Sequence, residues 1–216
     1  HAKGHDQADC DDNIIYIANY VIYRRRSLED IMFKRLTFSA ALLLKATTLL
    51  LPVTVAYAAD PQTIRVSIGS DGRQGNLHSL HPSLSASGLS IAFETRSSTL
   101  VPGDTNGKLD VFVHGVQGGQ TRRVSVSSSG LQGNGDSQIA VISPDGRFVA
   151  FSSSATNLVP GDTNGAYDIF IHERATAQTT RVSVGAGGAQ ANSESLYAAL
   201  SADGRYVAFQ SFAANL

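Results

Sequence analysis

From Ile64 onward the chain alternates apolar and polar residues in short runs, and each run stops at a cluster of Gly, Pro, Asp, Asn or Ser. Alternation at period two places successive side chains on opposite faces, so these runs predict β-strands rather than helices. In the middle of the chain four strands are expected, at Gln138 to Ile142, Arg147 to Ser152, Tyr167 to Glu173 and Thr179 to Val184. The first two are joined across Pro144-Asp145-Gly146, a turn sequence. Val182 and Val184 are expected on one face of the last strand, and Ile169 and Ile171 opposite Phe170 and His172 on the third. Val149 and Phe151 likewise oppose Phe148 and Ala150, so a meander of these strands is apolar on both faces. Such a sheet buries its surface only by stacking against others like it.

The partners for that stacking are copies of the same unit. Gly88, Gly146 and Gly204 recur at a step of 58, as do Arg65, Arg123 and Arg181 at the head of RVSI, RVSV and RVSV. The two VPGDTNG runs, at Pro102 and Pro160, obey the same step. A fixed period of this length signals an array of one supersecondary unit. Four-stranded antiparallel sheets stacked around an axis are the blades of a β-propeller, whereas a parallel β-solenoid has shorter rungs without this hairpin punctuation. The fold class expected is therefore all-β, a β-propeller with blades at about 69–126, 127–184 and 185–216, the last incomplete. From Ala59 the 158 residues hold about 2.7 units of 58. A closed propeller has four to eight blades, so the chain is expected to be a piece of a longer protein, or else several copies build one ring.

The run Ser143 to Phe151 (SPDGRFVAF), then Asp168 to Ile171 (DIFI), then Arg181 to Ser183 (RVS) resembles the repeat of TolB-type β-propellers. The resemblance covers Ile64 to Leu216. The chain departs from that pattern in carrying Ser87 where the family has Asp, Ala86 and Ala202 where it has Pro, and a longer loop at VPGDTNG. The resemblance implies an exported, non-catalytic scaffold or binding module for protein partners, in the periplasm or outside the cell. Blades of this kind also occur in propeller-linked serine peptidases and in repetitive surface or adhesion proteins, which are the alternative readings.

Residues 1–31 fit nothing that follows, and the only methionine is Met32. From there Lys34 and Arg35, an apolar body from Leu36 to Val55, and Ala56-Tyr57-Ala58 read as a secretory signal over 32–58, with cleavage before Ala59 and the mature chain at 59–216. Lys45 interrupts the body and leaves uncharged runs of 9 and 14 residues, short of the roughly 20 that a membrane span needs. On this reading residues 1–31 are an upstream extension absent from the exported product. Cys10, the single cysteine, lies upstream of the cut, so no disulfide framework is expected.

Composition agrees with many strands and tight turns: of 216 residues 42% are hydrophobic and 16% charged, with 20 Gly and no Trp. The formal charge of −1, with no basic run beyond Arg24-Arg25-Arg26, lacks the footprint of a nucleic-acid binder.

The sharpest candidates for chemistry are Asp104, Asn106 and Asp110 and their copies Asp162, Asn164 and Asp168. Their spacing around Gly107 and Gly165 resembles the start of a calcium loop, but no bidentate Glu follows at the twelfth position. The competing reading is an Asx turn in which the carboxylate and amide cap loop amides and Asn-Gly takes positive φ. A second repeated set joins Gln74, Gln132 and Gln190 with Asn76, Asn134, Asn192 and Ser79, Ser137, Ser195. It is either a ligand rim or a cap that every blade needs. His114 and His172 end equivalent third strands and could share a metal only with further ligands, while His78 and His81 are not repeated. No Gly-x-Ser-x-Gly elbow and no phosphate-binding loop occurs, so no catalytic, cofactor or metal residue is assigned.

Overall fold

The computed structural model describes residues 13–17, 20–24 and 63–216. The expected signal segment, Met32 to Ala58, lies outside them, as does most of the extension before it. The chain divides into two units, residues 1–65 and 66–216. In the first, β1 (Asn13–Ile17) pairs antiparallel with β2 (Tyr20–Arg24), with Asn13 opposite Arg24 and Ile17 opposite Tyr20. No helix among the described residues is long and apolar enough to cross a membrane.

The second unit is the repeat array. Its first sheet runs β3 (Ser79–Leu84), β4 (Ser90–Thr95), β5 (Asp110–Gly115) and β6 (Thr121–Arg123), each hydrogen-bonded to the next. The second repeats that order with β7 (Ser137–Ile142), β8 (Phe148–Ser153), β9 (Asp168–Glu173) and β10 (Gln178–Arg181). A third sheet holds β11 (Ser195–Leu200) and β12 (Val207–Ser211). All pairings are antiparallel between neighbours in sequence, the meander that the alternation predicted.

The hairpins close by side-chain chemistry. Gly146 takes φ 75°, which a residue with a Cβ rarely adopts. Ser143 Oγ donates to Asp145 Oδ1 at 2.6 Å and accepts from the Phe148 amide at 2.9 Å, while the Arg147 amide donates to the same Asp145 oxygen at 3.0 Å. In the first copy Ser87 stands in for the aspartate: its Oγ accepts from Leu89 N–H at 3.3 Å and lies 3.2 Å from Ser85 Oγ. A hydroxyl thus preserves the turn with longer bonds.

Stacking follows the two-faced pattern. Ala92, Val111, Val113 and Val124 of the first repeat pack against Val149, Phe151 and Phe170 of the second. The opposite face of the second sheet, with Ala150 and Ile169, packs against Ala198, Val207 and Phe209 of the third. The first strands lie beside one another, β3 against β7 and β7 against β11, as in sheets set radially around an axis.

Two expectations are corrected. The fourth strand ends at Arg181 rather than Val184, because Ser183 takes over the ladder with its side chain. Its Oγ accepts from Ile169 N–H at 3.1 Å and donates to Asp168 Oδ1 at 2.6 Å. Val184 bridges Gln190 in the following loop and is 38% exposed, while Val182 packs against the third sheet, so the two do not share a buried face. The first strands also do not alternate throughout. Each carries a register shift, with positive φ at His81 (46°), Ile139 (53°) and Tyr197 (56°). A β-branched residue in that region is strained, and its recurrence at one step of the repeat marks a bulge built into the blade.

Candidate functional site

The DTNG loops turn their carboxylates toward an arginine of their own blade. Arg123, from the end of β6, places Nη1 3.1 Å from Asp104 Oδ1 and 3.1 Å from Asp110 Oδ2. Asp110 is wholly buried, and it also accepts from Asn106 Nδ2 at 2.9 Å and from Ser125 Oγ at 2.5 Å. Asn106 Oδ1 accepts from Lys108 N–H at 3.0 Å, the Asx turn, with Gly107 at φ 63°. The second copy keeps the arrangement more loosely, with Arg181 Nη1 3.3 Å from Asp162 and 3.7 Å from Asp168. Burial is the largest influence on Asp104 and raises its carboxyl above the ordinary range, with Arg123 opposing and Asp110 reinforcing. Asp162 is raised for the same first reason.

A cation already occupies the centre of this oxygen set, which leaves these carboxylates committed to a guanidinium. Among the described residues no group of three or more His, Cys, Asp or Glu has metal-holding geometry. Adding chelator is expected to leave the melting temperature of the folded chain unchanged; a drop of many degrees would return Asp104 and Asp110 to calcium.

The repeated Gln, Asn and Ser set binds the chain to itself. Gln132, in the loop leading into the second sheet, reaches back to the first repeat: its Oε1 accepts from Thr105 N–H at 3.3 Å and its Nε2 donates to Thr105 Oγ1 at 2.8 Å. Gln190 Oε1 accepts from Thr163 N–H at 3.3 Å and from Thr163 Oγ1 at 3.1 Å, and its Nε2 donates to Asp162 Oδ1 at 2.9 Å. Asn134 Oδ1 accepts from Thr156 N–H at 2.8 Å, and Ser137 Oγ lies 2.9 Å from Ser153 Oγ. The glutamine bonds latch one blade to the next loop, while the asparagine and serine bonds tie the entry of a blade to the end of its own second strand. Asn192 and Ser195 repeat them in the third copy, and Ser79 Oγ in the first has no partner among the described residues.

His114 and His172 are not brought together. Each sits buried on a threonine of the outer strand, His114 Nδ1 2.8 Å from Thr121 Oγ1 and His172 Nδ1 2.9 Å from Thr179 Oγ1. Those hydroxyls spend their one proton on the carbonyls of Ile68 and Val126, at 2.5 and 2.6 Å. Each imidazole must therefore donate from Nδ1, which fixes the tautomer. Burial lowers both histidines from the ordinary 6.5, and Arg174 adds to it at His172. A depressed folded pKa means that the unfolded chain takes up protons first, so this stability is present above about pH 6.5 and lost as pH falls below it. A His114→Asn/His172→Asn variant keeps an N–H near the threonines, and its urea midpoint is expected to fall less than that of the parent between pH 7.5 and 5.5. Equal slopes would show that the histidines titrate alike in both states.

More than half of the 58 positions differ between the first two copies, and among them is a residue that sequence reasoning passed over. Glu94, whose counterparts are Ser152 and Gln210, is buried at 2% exposure. It accepts from the Ile139 amide at 2.5 Å and lies 2.6 Å from His81 Nδ1. It therefore joins the bulges of β3 and β7. His78 is exposed and contributes its carbonyl to Thr95 Oγ1 at 2.8 Å. The only available signal for Glu94 was its departure from the copies.

Searches of family profiles and of curated proteins give no match. Solved structures do align. TolB from Acinetobacter baumannii matches at 23% identity and a TM-score of 0.39, over 63% of this chain and 27% of that one. A putative TolB from Agrobacterium tumefaciens matches at 18% identity and 0.42, over 65% and 40%. The β-propeller domain of the Trilobed protease from Pyrococcus furiosus matches at 15% identity and 0.39, over 62% and 34%. The order of strands in each sheet and the stacking of sheet on sheet are those of β-propeller blades. The chain spans about a quarter to two fifths of the TolB chains that it matches.

Proposed function

We propose that this chain is an exported, non-catalytic β-propeller scaffold that binds protein partners in the periplasm or outside the cell. The observation that supports the reading is the fate of its reactive side chains. The repeated carboxylates are held by Arg123 and Arg181, the repeated histidines by threonines, and Ser125 and Ser183 by Asp110 and Asp168. Groups spent on internal bonds leave recognition to the loops and to side chains that differ between copies. Loops held on a rigid frame are where binding residues concentrate.

The test has two parts. Osmotic shock of expressing cells should release a chain beginning at Ala59; retention of residues 1–58 in the cytoplasm would end the export reading. A photo-crosslinking residue at Leu131, an exposed loop position at 62%, should capture an envelope protein. That protein, once purified, should bind saturably at one per chain. Failure of the purified pair to bind, or turnover of peptide or ester substrates by the chain itself, would overturn the scaffold role.

A further inference from the structure

Radial sheets diverge outward, and between the outer strands of the first and second sheets they leave a cleft of about 520 Å³. Its floor is apolar, with Leu89, Val113, Val124 and Val126, and the β5 to β6 turn adds the amides of Gln117 and Gln120. Arg122 enters from one wall, opposite Val113 in the β5 and β6 register and so on the face turned to the second sheet. Arg174 enters from the other wall, beside His172.

Neither guanidinium meets a carboxylate. Arg174 donates from Nη1 to Gly146 O at 2.5 Å and to Ser90 Oγ at 3.2 Å. The Arg122 guanidinium makes no hydrogen bond or ion pair with any described residue, and no Asp or Glu lines the cleft. Burial first, and then the Arg122 charge, hold the Arg174 guanidinium below its ordinary range, so the two cations sense one another. Both depart from the repeat: Arg122 stands where the second copy has Thr180, and Arg174 where the first has Val116. Neither is a shared element of the blade, since each copy lacks one of them. Like charges gathered in a concave, partly apolar site without a counter-charge are complementary to an anion, and guanidinium groups match the oxygens of carboxylate and phosphate.

We propose that this inter-blade cleft is a binding site for a small amphipathic oxyanion, a carboxylate or phosphate carried on an apolar or amide-compatible body, held between Arg122 and Arg174. The site does not depend on the protein-partner reading and would stand if no such partner existed.

The full chain is titrated calorimetrically at low ionic strength with inorganic phosphate and, separately, with glutarate, against a chloride control of equal ionic strength. At least one probe is expected to bind saturably, one per chain, and to raise the melting temperature. Saturation by phosphate alone assigns a phosphorylated ligand, and saturation by glutarate alone a carboxylate. Arg122→Gln and Arg174→Gln are each expected to weaken binding about tenfold or more. Arg147→Gln, which removes an arginine paired with Glu173 outside the cleft, should leave it unchanged. Arg122→Gln also separates ligand binding from folding. Without anion its melting temperature should equal or exceed that of the parent, because a like charge is gone, while the anion-dependent rise disappears. The proposal is overturned if neither probe saturates below about 10 mM, since weaker association is indistinguishable from screening. Equal weakening by Arg147→Gln, or a lower melting temperature of Arg122→Gln without anion, overturns it as well.

Discussion

Replacing Arg123 with methionine is expected to cost about 3–5 kcal/mol of folding stability at pH 7, the range for removing one partner of a buried ion pair. Methionine keeps much of the side-chain volume, so the loss isolates the charge. Asp110 is 0% exposed and Asp104 6%, and both lie 3.1 Å from the guanidinium. Without it, two carboxylates face each other in a site largely closed to water. For a domain of this size the loss corresponds to a fall of roughly 10 °C in melting temperature. The pH dependence gives a second reading. Burial already raises the Asp104 carboxyl, and loss of Arg123 removes the largest influence that lowers it. The folded variant then holds protons more tightly than the unfolded chain, so its stability relative to the parent rises as pH falls through the folded pKa. An Arg123→Met/Asp104→Asn variant, with one carboxylate neutralised, is expected to recover part of the loss at pH 7. Arg181→Met should cost less, because Arg181 stands farther from its carboxylates, at 3.3 and 3.7 Å, and its Nη1 makes no hydrogen bond. Urea denaturation of the three variants measures all of this. A cost below about 1 kcal/mol for Arg123→Met would mean that water enters the loop and screens the pair.

The same loop shows how far sequence carries. Asp104, Asn106 and Asp110 are visible as oxygen ligands or turn formers, and Arg123 recurs at the same 58 step, yet nothing in the spacing joins them. Joining them requires knowing that β5 and β6 pair with Phe112 opposite Arg123, which brings the arginine beside the loop that precedes β5. Local chemistry was legible for the same reason that it is local. The Ser-Pro-Asp-Gly turn is held by bonds between residues two to five apart. By contrast Thr121 reaches Ile68, 53 positions back, and Gln132 reaches Thr105, 27 back. The bulges escaped because alternation assumes a regular pleat, and the His81, Ile139 and Tyr197 backbones leave it at one step. Arg122 and Arg174 escaped because repeats draw attention to what is shared, whereas a ligand site on a repetitive frame is written in what is not.

Truncating Phe151 to alanine is expected to cost a further class of energy, that of the seam between the first and second sheets, at about 3–5 kcal/mol. Phe151 is fully buried and packs with Val111, Val113 and Val124 across the seam. Within its own sheet its ring lies 6.0 Å from that of Phe170, at 23° between planes. The cavity cannot collapse freely, because its walls are strands fixed on both sides by hydrogen-bonded neighbours. Ile142→Val, which removes one methylene from the same cluster, should cost only about 0.5–1.5 kcal/mol, so the ratio of the two measures how rigid the seam is. A Phe151→Ala/Phe170→Ala cycle should return a coupling of about 0.5–1.5 kcal/mol for the ring pair. Each blade buries its faces only on its neighbours, so weakening one seam should also loosen cooperativity. The urea transition of Phe151→Ala is expected to broaden, with a smaller slope, rather than shift as a unit. A cost under 1 kcal/mol with an unchanged slope would mean that the first and second sheets do not depend on one another, and the stacked-blade account of this chain would fail at that seam.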